Sequence, residues 1–121
     1  MTRDIIRTAN APAPPPTYSQ AVRAAGLVFV SGTGPHDPAT GKLAGDTIQE
    51  QTRQCLQNIS AILQAAGTSL ERIVSATVIL LEESDFAGMN VSVRLWPLSK
   101  FDPGHLRDAV RPSNSSSLIQ T

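Results

Sequence analysis

Thr47-Ile48-Gln49-Glu50-Gln51-Thr52-Arg53-Gln54-Cys55-Leu56-Gln57-Asn58-Ile59-Ser60-Ala61-Ile62-Leu63-Gln64-Ala65-Ala66-Gly67 is the stretch from which the fold is read. Ile48, Cys55, Leu56, Ile59, Ile62, Leu63 and Ala66 recur at helical spacing and gather into one apolar stripe. Thr47 and Glu50 have the spacing of a capping box, and Gly67 stands where a left-handed residue closes a helix. A helix with one apolar stripe needs an apolar surface to lie on, and the flanking segments are β-compatible.

Toward the N-terminus, residues 18–23 and 27–31 flank Ala24-Ala25-Gly26, which is a hairpin signal, and Leu27-Val28-Phe29-Val30 reads as a buried strand. Ile5 and Ile6 suit a short edge strand. The run Ala11-Pro12-Ala13-Pro14-Pro15-Pro16 takes an extended path because proline fixes φ. Such a run serves either as an SH3-type ligand or, more plainly, as a stiff connector that delivers Tyr18 to the sheet. Residues 32–41 form a loop with corners at Asp37-Pro38 and Thr40-Gly41.

Toward the C-terminus, residues 73–81 are β-branched and apolar, as a central strand requires. Ser84 and Asp85 offer an N-cap to a second helix carrying Phe86, Met89, Val93 and Trp96 until Pro97 stops it. The order β-β-β-α-β-α predicts one α+β domain over residues 1–121, with both helices on one face of a single mixed sheet. Beyond Phe101, a turn at Asp102-Pro103-Gly104 and a Ser/Pro/Asn tract over 111–117 show no hydrophobic period. The expectation for 102–121 is a divergent, poorly packed or disordered tail in which the last strand is missing or degenerate.

Ten acidic and ten basic side chains leave no net field for nucleic acid or an anionic membrane. Cys55 is the only cysteine, which excludes an intrachain disulfide and suits a reducing compartment: the cytoplasm, with the mitochondrion as the alternative. No apolar run approaches the roughly 20 residues that span a bilayer. Gly32-Thr33-Gly34 lacks the third glycine of a phosphate loop, and Phe29 stands where a nucleophile elbow at Ser31 would need glycine. Cys55 lies in the helix stripe and reads as core. Neither His36 nor His105 has a second ligand at metal spacing, so no metal is expected.

Three segments carry a family likeness: Asn10-Ala11-Pro12, Tyr18-Ser19-Gln20-Ala21-Val22 and Leu27-Val28-Phe29-Val30-Ser31-Gly32. It continues through Asp37-Pro38-Ala39-Thr40-Gly41, Glu50-Gln51-Thr52-Arg53-Gln54, Asn58-Ile59, Ala65-Ala66-Gly67, Thr77-Val78 and Asp85-Phe86-Ala87-Gly88-Met89-Asn90. The chain resembles the Rid family, also called YjgF, up to Asn90. Pro16-Thr17 departs from the usual Gly-Pro before the tyrosine, and Thr33 replaces a frequent glutamine.

The resemblance implies a chorismate-mutase-like fold, a homotrimer with a cleft at each subunit interface, and cofactor-free hydrolysis of reactive 2-imino or enamino acids. It assigns the substrate carboxylate to Arg107, and places Tyr18 and Ser31 in the cleft as catalytic groups. Gly32 and Ala109 would present backbone groups, and Asn90 would support the cleft wall. Arg107 is followed by Asp108, a carboxylate that competes for its charge; Arg111 and Arg94 are weaker substitutes. The glutamate that many deaminating members carry in their last strand has no counterpart. The likeness breaks at Asn90-Val91-Ser92, as an altered reading frame or splicing would produce. Weak or undetectable deaminase activity is therefore expected. The alternatives are a non-catalytic small-molecule-binding or chaperone-like relative and, with less support, a ribonuclease.

Overall fold

The computed structural model describes residues 2–94, 110–114 and 118–120. Among these, the order is β1 (Asp4–Ile6), β2 (Ala21–Ala24), β3 (Leu27–Val30), α1 (Ile48–Ala65), β4 (Ala76–Leu80), α2 (Phe86–Arg94), β5 (Val110–Asn114) and β6 (Leu118–Gln120). Single 3₁₀ turns at Leu70–Arg72 and Glu83–Asp85 precede β4 and α2. The expected succession of strands and helices is therefore present through residue 94, with β4 shorter than the apolar run that announced it.

β2 and β3 pair antiparallel with Ala24 opposite Leu27, which leaves Ala25 and Gly26 as the connection. Both have positive φ, 53° and 77°, the signature of a type I′ turn whose twist matches that of the strands it joins. Ile6, Ala21 and Val30 stand in register across β1, β2 and β3 and turn inward, each buried. The alternate row, Ile5, Val22 and Phe29, faces the other way. β3 is thus buried on one side only: Leu27 is 48% exposed and Phe29 53%. The expectation of a wholly buried strand is corrected here, because the helices cover one face of the sheet and a continuous apolar run does not reveal which faces are covered.

The caps of α1 form much as its sequence indicates. Thr47 accepts at its hydroxyl from the Glu50 N–H, but the Glu50 carboxylate reaches past the cap residue to the Asp46 N–H at 3.0 Å. A Cβ at Gly45 would run into that carboxylate, and Gly45 has a φ of 95°. At the other end, the Thr68 N–H donates to the Leu63 carbonyl (2.9 Å) and the Gly67 N–H to that of Gln64 (3.0 Å), with Gly67 at φ 81°, a Schellman closure. The Arg23 guanidinium donates to the Ala66 carbonyl, placing a cation at the negative end of the helix. It also pairs with Asp4 at 3.5 Å and so ties the hairpin to α1.

The stripe of α1 buries Cys55, Leu56, Ile59, Ile62 and Leu63 against Ala21, Val30, Val78 and Leu80. Cys55 is 1% exposed. α2 contributes Met89 and Val93 to the same core, whereas Phe86 is 43% exposed and lies off the buried stripe. Trp96 and Pro97 lie outside the described residues. A Cβ on Gly88 would come within 2.6 Å of Ile48 Cγ2, so the absence of a side chain there lets α2 approach the start of α1.

The hydrogen-bonded strands form two three-stranded sheets, β1-β2-β3 and β5-β4-β6, rather than a single one. β1 and β3 are the edges of the first sheet and β5 and β6 those of the second, and no described ladder joins the two. Where a missing or degenerate last strand is expected, the described residues hold two short strands, β5 parallel to β4 and β6 antiparallel to it. Pro112 sits opposite Val78 in β5, an edge strand, where a lost N–H is tolerated. Strand pairing runs through backbone N–H and C=O groups, of which proline lacks only the first, so short flanking strands need no hydrophobic period of their own. No described helix is long and apolar enough to cross a membrane.

Candidate functional site

Proline has no N–H, so most carbonyls of residues 11–16 need donors from outside the segment. Gln20, 5% exposed, supplies them. Its Oε1 accepts from the Thr8 N–H at 2.7 Å, and its amide nitrogen serves the carbonyls of Thr8 (3.0 Å), Ala11 (3.3 Å) and Pro12 (2.9 Å). This clamp fixes where the segment leaves β1 and how it returns to β2, and so positions Tyr18.

A second buried amide holds the facing loop. Asn58, 1% exposed on α1, donates to the carbonyls of Gly34 (3.0 Å) and His36 (2.9 Å) and accepts from Gln54 (2.9 Å). The loop closes on itself through Asp37 N–H to the Lys42 carbonyl and Ala44 N–H to the Pro35 carbonyl. The Asp37 carboxylate caps the Ala39 N–H at its Asp-Pro corner, a local turn that side chain favours.

Between the two clamps, the Ser31 N–H donates to the Gln20 carbonyl (3.0 Å) and the Ser31 hydroxyl to the Ser19 carbonyl (2.6 Å). With its proton committed, Ser31 Oγ presents lone pairs and acts toward a ligand as an acceptor. Thr33, buried, donates its hydroxyl to the Ser31 carbonyl and stiffens the same corner.

These pieces enclose a cavity of about 500 Å³, within the range of small-molecule sites. Tyr18, Ser31 and Gly32 line it together with Gln20, Thr33 and His36. No arginine, lysine, aspartate or glutamate is among the described residues of its wall. Asn90 is half-buried on α2 and does not line this cavity. Arg107, Asp108, Ala109 and His105 lie outside the described residues, and Arg94 ends α2. Arg111 stands opposite Thr77 in the β5–β4 ladder. Among the described residues, no group of three or more histidine, cysteine, aspartate or glutamate side chains could hold a metal.

Tyr18, Ser31 and Gly32, which the resemblance groups, line one cavity, and Gln20 and His36, which no sequence signal placed there, line it with them. Asn58 did leave a signal: a polar amide beside the buried stripe of an amphipathic helix must find partners, and here they are loop carbonyls. His36 left none, because only the closed loop brings it to the cavity.

The family model described as Endoribonuclease L-PSP matches residues 8–106. A RutC family protein of Pyrococcus horikoshii is 48% identical over 88 residues, 73% of this chain and 70% of its own length. The 2-iminobutanoate/2-iminopropanoate deaminase of Capra hircus is 42% identical over 90 residues, 74% of this chain and 66% of its own. In three dimensions, the crystal structure of E. coli TdcF with bound serine aligns with a TM-score of 0.76 at 32% identity, covering 97% of this chain and 94% of that one.

Proposed function

We propose, from the premise that this chain belongs to the Rid/YjgF family, that its cavity takes small 2-imino acids and hydrolyses them to 2-keto acids and ammonia. The observation that carries this reading is the convergence of Tyr18, Ser31 and Gly32 on one small-molecule cavity. A deaminase of iminobutanoate and iminopropanoate among the relatives and a small amino acid bound in a structural neighbour support the substrate size and class.

The reaction adds water to the C=N carbon, moves the π electrons to nitrogen, which takes a proton, and expels ammonia as the carbinolamine collapses to the keto acid. Ser31 Oγ, an acceptor, orients the attacking water or the substrate N–H. The Tyr18 phenol, as a donor, protonates or steadies nitrogen. Gly32 and Ala109 present backbone groups, and Arg107 grips the carboxylate. The divergence from the family pattern after Asn90 argues for a reaction slower than the family's, since a positioned acid or base contributes about 100- to 10,000-fold.

A homotrimer accompanies this reading. Ile5, Leu27 and Phe29 lie on the outward face of the first sheet, each about half exposed, and an apolar face of that kind calls for a symmetric partner. Light scattering should give a trimer mass, and a stable dimer would contradict it. A reducing compartment, the cytoplasm first, suits the buried thiol of Cys55.

One observation favours a second reading. With no arginine, lysine, aspartate or glutamate among the described residues of the wall, a cavity that binds small molecules without turning them over is also supported. Release of 2-keto acid from freshly generated 2-iminopropanoate distinguishes the two. Acceleration over buffer supports hydrolysis, whereas saturable binding of a carboxylate ligand with no acceleration supports the binder. RNA cleavage has less behind it, since a neutral chain gives RNA little electrostatic hold.

A further inference from the structure

The proline segment does more than connect two strands. Its last residues read Pro15-Pro16-Thr17-Tyr18, and all four are exposed, Tyr18 by 49%. The segment stands as a rib between two hollows: the cavity described above on the Ser31 and His36 side, and another of about 460 Å³ lined by Arg7, Thr8 and Ser19. Neither flank of the rib is packed tight against the body of the domain.

We infer that Pro15-Pro16-Thr17-Tyr18 is a docking site for a WW-type domain, a small β-sheet module whose paired aromatic rings grip consecutive prolines. Such modules read an extended proline helix and, in one class, a tyrosine two residues after the second proline, whose ring fills a neighbouring groove. That spacing is present here. SH3-type modules instead require a basic residue beside the prolines to meet their acidic pocket. No lysine or arginine occurs between Arg7 and Arg23, so the segment offers them no such anchor.

The fold prepares the segment for this partner. Gln20 holds the Ala11 and Pro12 carbonyls, and Ser31 holds those of Ser19 and Gln20, so both ends are pinned while the middle projects. Pinning lowers the ordering entropy lost on binding. One local contact opposes an extended path, the turn closed by the Tyr18 N–H and the Pro15 carbonyl at 3.3 Å. It is a single long bond between exposed residues, and its partners regain water or the bound domain when it opens. Because the Tyr18 ring also lines the cavity, a bound domain withdraws it from that site. The inference stands on the exposed motif and does not depend on the deaminase reading.

The test is calorimetric titration of the intact folded chain with a WW domain of the Pro-Pro-x-Tyr class, beside an SH3 domain. Saturable binding of the WW domain alone is expected, weakened about tenfold or more by Pro16→Ala and by Tyr18→Ala, since each empties one pocket of the partner. Circular dichroism shows whether each variant is folded, and exposed Pro16 keeps the test valid if Tyr18→Ala is not. Failure of the folded chain to bind, undiminished binding by Pro16→Ala, or capture by the SH3 domain instead would overturn the inference. Binding by a peptide of residues 10–22 but not by the folded chain would overturn it too.

Discussion

Asn58, buried in the middle of α1, donates to the carbonyl oxygen of His36 at 2.9 Å, and this bond couples the helix to the loop that walls the cavity. A second bond from the same amide reaches Gly34, so one side chain sets the height of the whole loop. Asn58→Ala should lower stability by about 2–4 kcal/mol, the loss of two bonds with their acceptors left underserved. Denaturant unfolding measures the loss, and hydrogen exchange should show residues 34–44 opening first. A stability change under about 0.5 kcal/mol would mean the loop holds itself.

Gln20 plays the same part for the proline segment, with the difference that it must both donate and accept. Gln20→Glu keeps the shape and the acceptor but sets a carboxylate against the Ala11 and Pro12 carbonyls. Ligand affinity should fall with stability in this variant, by about 1–3 kcal/mol in stability. Thermal melting with and without a carboxylate ligand would show it, and an unchanged melting temperature would contradict the clamp.

What the sequence reveals and what it hides divide along these lines. α1 was legible to its caps, because stripe, Thr47 and Gly67 are local signals that agree with one another. The hairpin was legible from Ala24-Ala25-Gly26, but its type I′ geometry at Ala25 and Gly26 was not. The open face of β3 was not, since Leu27-Val28-Phe29-Val30 is apolar at every position and only tertiary packing decides which side is covered. β5 and β6 were hidden because strand pairing runs through the backbone, and a stretch such as Pro112-Ser113-Asn114 carries no periodic signal that announces it. In the cavity, Tyr18 and Ser31 were visible through family likeness, whereas Gln20 and Asn58 act through carbonyls distant in sequence.

Gly88 permits the close approach of α2 to Ile48. Gly88→Ala would gain helix propensity but force Ile48 and Gln49 aside, and overpacking of this kind costs about 1–3 kcal/mol. Net destabilisation is expected in urea unfolding. A stabilised variant would show that the two helices have room to separate.

Ala25 adopts a φ of 53° without the freedom of glycine. Ala25→Asn should stabilise the hairpin by about 0.5–1 kcal/mol, because asparagine tolerates the left-handed conformation better than alanine. The same melting experiment checks it. A lower melting temperature would mean that Ala25 is held by something other than the turn.

The central claim, that the cavity of Tyr18 and Ser31 hydrolyses 2-imino acids, is tested most directly by the rate at which freshly generated 2-iminopropanoate disappears. The purified chain should exceed buffer, and Ser31→Ala, with its fold intact by circular dichroism, should lose about tenfold or more of that excess, the worth of one hydrogen bond to a reacting group. A wild-type rate no faster than buffer, or a Ser31→Ala variant as fast as wild type, would contradict the account.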